Sequence, residues 1–247
     1  MREVLKKKVL VLGSTGLIGH QVFNYLQANG GYELHNISHR SKLKENTINI
    51  DARNEEHFLK CIVDIDPDFI INCIGILISD SNSNPENAIF LNAYLPHRLA
   101  RIANDIDAQL IHISTDCVFS GNRGTPYIET DIKDGLGVYA ETKMLGEIIN
   151  KTHLTLRTSV VGPELKDGGE ELFHWFMSQS GVISGYTKSI WSGVTTIELA
   201  KAVEFSIRNG MTGLYHVTNN ASISKFDLIK LFQKHMRKDI DISPVDG

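Results

Sequence analysis

Cysteine is scarce in this sequence, and charge imbalance, long apolar runs and repeats are missing. The 247 residues contain 3 cysteines. Cys61, Cys73 and Cys117 are odd in number and sit in apolar stretches without ligand-like spacing, which excludes a disulfide framework and points to a reduced compartment. They read as core filler or pocket wall. Lysine and arginine number 25 against 29 acids, a net charge of −4, so neither a nucleic-acid footprint nor a polybasic membrane anchor is expected. No apolar segment reaches the roughly 18 residues of a membrane span. Met1 to Lys8 lead directly into a strand pattern instead of a signal-peptide apolar region, and a cytoplasmic location is expected. His97, His112 and His153 read as helix-surface or strand-packing residues, and no metal is expected.

What is present is a regular alternation of strand and helix patterns. Strands are expected at Lys8 to Leu12, Glu33 to Ser38, Thr47 to Ile50, Phe69 to Ile74, Gln109 to Ser114 and Leu154 to Thr158. Helices are expected at Leu17 to Ala28, Asn54 to Ile65, Pro85 to about Ile106, and around Tyr139. Ser79 to Pro85 reads as a polar loop. The fold class is α/β, a Rossmann-like doubly wound parallel sheet over residues 1–160. Residues 161–247 are expected to form a small α/β substrate lobe whose chain crosses back to the sheet. Within it, helices are expected at Glu171 to Ser178, Thr196 to Arg208 and Lys225 to Met236, the last capped by Ser224, with a strand at Gly213 to Val217. The helices at Pro85 and Tyr139 are candidates for pairing in a homodimer.

Gly13-Ser14-Thr15-Gly16-Leu17-Ile18-Gly19 follows the first strand and opens a helix. Glycines permit a tight turn and close approach of backbone to a pyrophosphate, and the helix N-terminus offers free N–H groups to that anion. An acid at the end of the second strand holds the ribose of NAD, whereas a base there suits a 2′-phosphate. This chain has His39-Arg40-Ser41-Lys42. Arg40, supported by Ser38 or Lys42, therefore points to NADP(H). Asp51, beside Ala52 after the third strand, is placed to meet the adenine.

The fifth strand delivers Ser114, Thr115 and Asp116 at its carboxyl end, where open α/β sheets bind ligands. Tyr139 and Lys143 lie four residues apart, hence on one face of a helix. A neighbouring ammonium is expected to lower the phenol from its ordinary value of about 10. The Gly- and Pro-containing loop from Gly121 to Gly137 is expected to fold back and bring Thr115 to Tyr139, so that both bond a ketone oxygen as hydride arrives from a nicotinamide. Asn92 on the long helix reads as a surface amide, with orientation of a catalytic water as the alternative.

Four ordered motifs, Gly13-x-x-Gly16-x-x-Gly19, Ser114-Thr115-Asp116-x-Val118-Phe119-x-Gly121, Tyr139-x-x-x-Lys143 and Leu156-Arg157-Thr158-Ser159, resemble the extended short-chain dehydrogenase/reductases. The best match is the dTDP-4-dehydrorhamnose reductase family, over about Lys8 to Val217. The resemblance implies that Thr115, Tyr139 and Lys143 form the catalytic set, with Tyr139 as general acid and Lys143 on the nicotinamide ribose. It also implies that Asn72 to Gly75, with Cys73 and Ile74, and Thr158 to Val160 line the cofactor. Cys117 stands where that family has Tyr, and an aromatic near Val160 is missing. Asp116, Cys117 and Trp191 are the candidate substrate contacts. The family's proteins run past the equivalent of Gly247, which leaves a truncated lobe open.

The implied activity is NADPH-dependent reduction of a nucleotide-linked 4-keto-6-deoxy-hexose in deoxysugar or surface-polysaccharide synthesis. The alternatives are a nucleotide-sugar epimerase or dehydratase holding NAD, opposed by Arg40 and Cys117, and a non-catalytic NADP-binding regulatory subunit.

Overall fold

Apolar runs of four to six residues dictate strands buried on both faces, and they form the central layer. The computed structural model describes residues 6–166, 168–169 and 171–246. Met1 to Leu5 and Gly247, on which parts of the terminal readings fall, lie outside the described residues. The first half runs β1 (Lys7–Leu12), α1 (Gly19–Asn29), β2 (Tyr32–Ser38), β3 (Ile48–Asn49), α2 (Glu55–Ile65) and β4 (Phe69–Asn72). Then come α3 (Ile78–Ser83), α4 (Pro85–Ala88), a π-turn (Ile89–Tyr94), α5 (Leu95–Asp105), β5 (Gln109–Thr115), α6 (Val138–Leu145) and β6 (Leu154–Thr158). The remainder is β7 (Val160–Val161), α7 (Leu172–Ser178), β8 (Val182–Tyr186), β9 (Ile190–Trp191), β10 (Val194–Thr195), α8 (Thr196–Asn209), β11 (Gly213–Val217), β12 (Ile223–Ser224), α9 (Lys225–Met236) and β13 (Asp241–Val245).

Seven strands form one sheet in the order β11-β6-β5-β4-β1-β2-β3. Every pairing in it is parallel. Residues alternate between its faces. Leu10 and Leu12 join Phe58, Ile62, Leu95 and Leu99 of α2 and α5, while Val9 and Val11 join Phe23, Leu26, Leu199 and Val203 of α1 and α8. Phe58, Phe23 and Phe176 each sit fully buried, one in each of three apolar clusters. Each contributes on the order of 1.5–3 kcal/mol by leaving water.

Beyond Val161 the chain forms two-stranded pairs, β7 with β10, β9 with β12 and β8 with β13. A separate core of Phe176, Ile183, Ile229 and Ile240 lies there. The chain crosses back through α8, and β11 pairs with β6 from Gly213 against Leu154 to Val217 against Thr158. Ser224 caps α9 by accepting from the Asp227 N–H.

Two expectations need correction. The polar stretch from Ser79 is helical, because Ser81 is buried with its amide on the Leu77 carbonyl at 2.9 Å and its hydroxyl on the Ile76 carbonyl at 3.3 Å. The long helix from Pro85 is not a single α-helix. Pro96 lacks the N–H that would bond the Asn92 carbonyl, and the turn before it widens so that the Leu95 amide bonds the Phe90 carbonyl, five residues back.

Candidate active site

The strand order reverses beside β1, and a cleft of about 710 Å³ lies at the carboxyl ends of β1, β4, β5 and β6. That is where open parallel sheets bind ligands. Thr15, Gly16, Leu17 and Ile18 line one end of it. Gly13 and Gly19 shape this turn from beneath. Gly13 has φ +74°, and a Cβ on Gly19 would lie 2.2 Å from the Gly13 carbonyl oxygen, so side chains are excluded at both. The turn is anchored by the Gly13 and Ser14 amides, which donate to the Ile37 carbonyl at 2.9 and 3.1 Å. Helix α1 begins with no side-chain cap and no acid in its first turn. Its positive N-terminal end is thus left uncompensated beside the cleft, and the turn fits a dinucleotide pyrophosphate.

His39, Arg40, Asp51 and Ala52 do not line the cleft; they adjoin the turn at the ends of β2 and β3. Arg40 is exposed and Ala52 is buried at the core. Asp51 is gripped by Arg53, Nε at 3.0 Å and Nη2 at 2.6 Å, with His39 Nε2 at 3.3 Å. The Arg53 hydrogen bond leads in holding this carboxyl down at about 2, against the opposing effect of burial. Ser38 does not support Arg40. Its hydroxyl donates to the Ser41 carbonyl and accepts from Asn49 Nδ2 at 2.8 Å, closing the loop.

At the chemical end, β5 carries Thr115 to the cleft floor, where its hydroxyl accepts from the Cys117 amide at 3.1 Å and donates to Asp116 Oδ1 at 3.3 Å. The loop after β5 folds back. The Gly135 amide bonds the Val118 carbonyl at 3.0 Å, and a Cβ on Gly135 would lie 2.2 Å from the Cys117 carbonyl oxygen. This close approach delivers α6, and Tyr139 joins Thr115 in lining the same cleft. Lys143 is 5% exposed, and its Nζ donates to the Ile113 carbonyl at 2.8 Å. Burial brings its pKa down to about 8, with the Glu147 charge opposing.

The expected lowering of the phenol by Lys143 is not found. Burial pushes Tyr139 well above its ordinary value, the neighbouring Thr115 hydroxyl acts in the opposite sense, and the nearby Cys117 and Asp116 raise it further. Lys143 is instead turned to the β5 backbone. Asp116 is open to the cleft yet enclosed on most sides, and burial raises its carboxyl. Cys117 lies beside it, with Sγ 3.8 Å from Asp116 Oδ1, and burial raises its thiol too.

Cys73, Ile74, Gly75, Thr158 and Val160 line the cleft, as does Ser114. The Ser114 hydroxyl, however, is committed to Glu147 Oε1 at 2.9 Å. Burial pushes the Cys73 thiol up to about 12, with Lys143 opposing. Trp191 lines a second cavity of about 350 Å³, and its indole N–H donates to the Ser159 hydroxyl at 2.9 Å, behind the cleft wall. The tryptophan in the cleft is Trp175 of α7, with Glu164 and, at the start of α9, Lys225. Sequence reasoning passed over both Trp175 and Lys225, because the lobe's fold decides which tryptophan turns inward.

Asn92 is fully buried, contrary to the surface reading. Its Oδ1 accepts from the Ile76 amide at 3.0 Å and its Nδ2 donates to the Ile76 carbonyl at 3.1 Å, pinning the segment that carries Gly75. His112 is buried against Asn72 Nδ2 at 3.1 Å, and His153 accepts from the Leu110 amide at 3.2 Å, while His97 contacts the Leu145 carbonyl from the surface. Among the described residues no group of three or more His, Cys, Asp or Glu side chains is arranged to hold a metal ion. None of their helices is long and apolar enough to cross a membrane.

The sequence pattern of the RmlD substrate binding domain matches residues 7–247. A dTDP-4-dehydrorhamnose reductase of Escherichia coli (strain K12) is 27% identical over 93% of this chain and 78% of that protein. Methionine adenosyltransferase 2 subunit beta of Bos taurus is 35% identical over 59% of this chain and 43% of that protein. The crystal structure of dTDP-4-dehydrorhamnose reductase from Bacillus anthracis in complex with NADP superposes with a TM-score of 0.84 at 23% identity, covering 98% of this chain and 86% of that one.

Proposed function

Because the chain belongs to the RmlD substrate binding domain family, we propose that it is a cytoplasmic NADPH-dependent reductase. Its substrate in this reading is a nucleotide-linked 4-keto-6-deoxy-hexose, reduced to the 4-hydroxy sugar for deoxysugar or surface-polysaccharide synthesis. The observation that carries this reading is the convergence on one cleft of Thr115, at the end of β5, and Tyr139, on α6, with Lys143 one turn further along that helix.

Thr115 and Tyr139 hold the ketone oxygen, and Tyr139 passes its proton to that oxygen as negative charge develops there. The raised phenol suits this role, since Tyr139 keeps its proton throughout the neutral range. Lys143, with a pKa of about 8, is mostly an ammonium at neutral pH and supplies positive charge beside the reacting carbon. Bound in the cleft, NADPH supplies the hydride. Thr15 to Ile18 and the α1 amides hold its pyrophosphate, Cys73 to Gly75 and Thr158 to Val160 line its nicotinamide half, and Lys143 holds the ribose. Arg40 and His39 meet the 2′-phosphate. Asp51 does not oppose that phosphate, because Arg53 neutralises it. Residues 161–247 supply the substrate lobe, with Asp116 and Cys117 facing the sugar and Trp175 and Lys225 in the place expected for Trp191.

The test follows NADPH absorbance with dTDP-4-keto-6-deoxy-hexose and its UDP-linked analogues. Oxidation matched by formation of the 4-hydroxy sugar is expected, and no turnover with any of them overturns the substrate claim. The relative named as a methionine adenosyltransferase subunit favours a second reading, a non-catalytic NADP-binding subunit. NADPH binding without turnover, together with a stable complex with another enzyme, supports that reading instead.

A further inference from the structure

We propose that Glu147 is a positioning residue for the reductase chemistry, holding the strand end of Thr115, the helix of Tyr139 and Lys143 and the strand end of Thr158 in one fixed placement. The inference rests on the reductase reading above and assigns a task to a residue outside the substrate and cofactor contacts. The Glu147 side chain is 0% exposed. Its two oxygens accept from Ser114 Oγ at 2.9 Å, Arg157 Nε at 2.6 Å, Arg157 Nη2 at 2.8 Å and Lys133 Nζ at 3.0 Å.

Each donor sits beside a group of the site. Ser114 precedes Thr115 on β5, and Arg157 precedes Thr158 on β6. Lys133 belongs to the fold-back loop and also donates to the carbonyl of Met144, the residue after Lys143, at 3.0 Å. Arg157 extends the link, donating from Nη1 to the Glu129 carbonyl at 3.1 Å and lying over the Phe119 ring at 5.1 Å. Helix α6 is only 8 residues long, so its own hydrogen bonds do little to fix its direction. The carboxylate just beyond its end does this by joining it to two strands of the sheet.

A buried ion pair is a poor source of net stability, because desolvation offsets the attraction and apolar replacements are often as stable. Placement is a better reason for a fully bonded carboxylate here, since misplacing reacting groups by about 1 Å costs about 10²-fold in rate. Glu147 also acts on Lys143 through space. The charged and titratable groups facing Lys143 are Cys73 after β4, His112 on β5 and Glu147, and the Glu147 charge favours the ammonium.

The test compares Glu147→Gln, Ser114→Ala and the double variant Glu147→Met/Arg157→Met, which removes both buried charges together and so spares the fold an unpaired ion. Melting temperature, NADPH affinity by fluorescence, kcat, KM and the pH titration of Lys143 by NMR of ε-13C-lysine are read for each, with Lys143→Met assigning the signal. All three variants are expected to bind NADPH like the parent. Their kcat should fall by about tenfold or more, within the about 10²-fold that misplacement costs, with KM little changed. Lys143 should titrate at lower pH in both Glu147 variants. A double variant with parental kcat and a parental Lys143 titration overturns the proposal, and so does Ser114→Ala with parental kcat. Should both Glu147 variants fail to fold, Ser114→Ala, which deletes one hydroxyl, decides it alone. Should the parent reduce no nucleotide sugar, the functional reading fails, while the Lys143 titration still decides whether Glu147 sets its charge.

Discussion

Two of the carboxylate–arginine pairs in this molecule, Asp51 with Arg53 and Glu147 with Arg157, work in opposite surroundings. Asp51 and Arg53, at the rim near the ends of β2 and β3, have side chains 33% and 51% exposed, whereas Glu147 and Arg157 are 0% and 3% exposed. The geometry is similar, with two-pronged contacts of 2.6 to 3.0 Å in each pair. Surroundings decide what each can do. At the rim, water and salt screen the charges, so the pair adds little stability, and in the proposed reading it adjusts the local potential for an incoming phosphate. In the interior the same pairing is hard to break and fixes positions. In the proposed reading the rim beside the glycine turn is thus an adjustable end for selecting cofactor, and the interior behind the cleft a rigid end for chemistry.

The hardest test of the rigid end is Tyr139→Phe, which deletes one hydroxyl. Turnover should fall by about 10²-fold or more while NADPH affinity holds, as read by single-turnover absorbance and fluorescence titration. Retention of turnover would remove the phenol from the mechanism.

Next in size is Lys143→Met, which separates function from stability. The Lys143 pKa drops from 10.5 unfolded to about 8 folded, so between those values the unfolded chain binds more protons. The contribution of Lys143 to stability is therefore unfavourable at neutral pH and is relieved as pH rises from about 8 towards 10.5. Removing the amine should stabilise the cofactor-free protein at pH 7 by on the order of 3 kcal/mol while lowering turnover. Melting curves of the two proteins should converge as pH rises. Parallel curves across that range would sink the argument.

At the adjustable end, Arg40→Ala should raise the NADPH KM by about tenfold, the worth of one exposed charged contact of about 1.4 kcal/mol, and leave NADH almost untouched. Added salt should move the parent towards the variant. Equal effects on both cofactors would place the 2′-phosphate elsewhere.

The smallest effect belongs to Asp51→Asn. Its folded pKa of about 2 lies below the ordinary 3.8, so the pair's stabilisation is present above about pH 4 and is lost as pH falls through about 2. The difference in melting temperature between parent and variant at pH 7 should correspond to less than about 1 kcal/mol and vanish near pH 2. A loss of about 3–5 kcal/mol, the scale of breaking a buried ion pair, would erase the contrast between the ends.

The sheet was legible because strands buried on both faces leave apolar runs between turn residues, and β6 and β11 fall on the residues expected from that pattern. The Gly13 turn and the meeting of Thr115 with Tyr139 were legible too, since chain order and strand-end placement bring them together. Less legible were features that depend on what a side chain meets across the fold. Glu147 follows Lys143 by four residues, yet nothing local reveals Arg157 and Lys133 closing on it. Arg53 stands two residues from Asp51, and only the turn after β3 curls it back onto that carboxylate. The choice of Trp175 over Trp191 is made by the packing of α7, which no periodicity in a short segment records. Pro96 did carry a signal for the widened turn, because a proline inside a helical pattern must leave one carbonyl without its partner.

That widened turn reaches further than the helix it interrupts. The last link of this segment to the sheet is the Cys73 amide on the Leu12 carbonyl at 3.1 Å, and beyond it the Asn92 amide takes over, giving and receiving one bond with Ile76 as a neighbouring strand would. The cleft edge is thus stitched to a helix instead of to the sheet. In hydrogen exchange, the Ile76 amide should be retained far longer than a loop amide, and its release should keep time with the opening of the helix around Asn92.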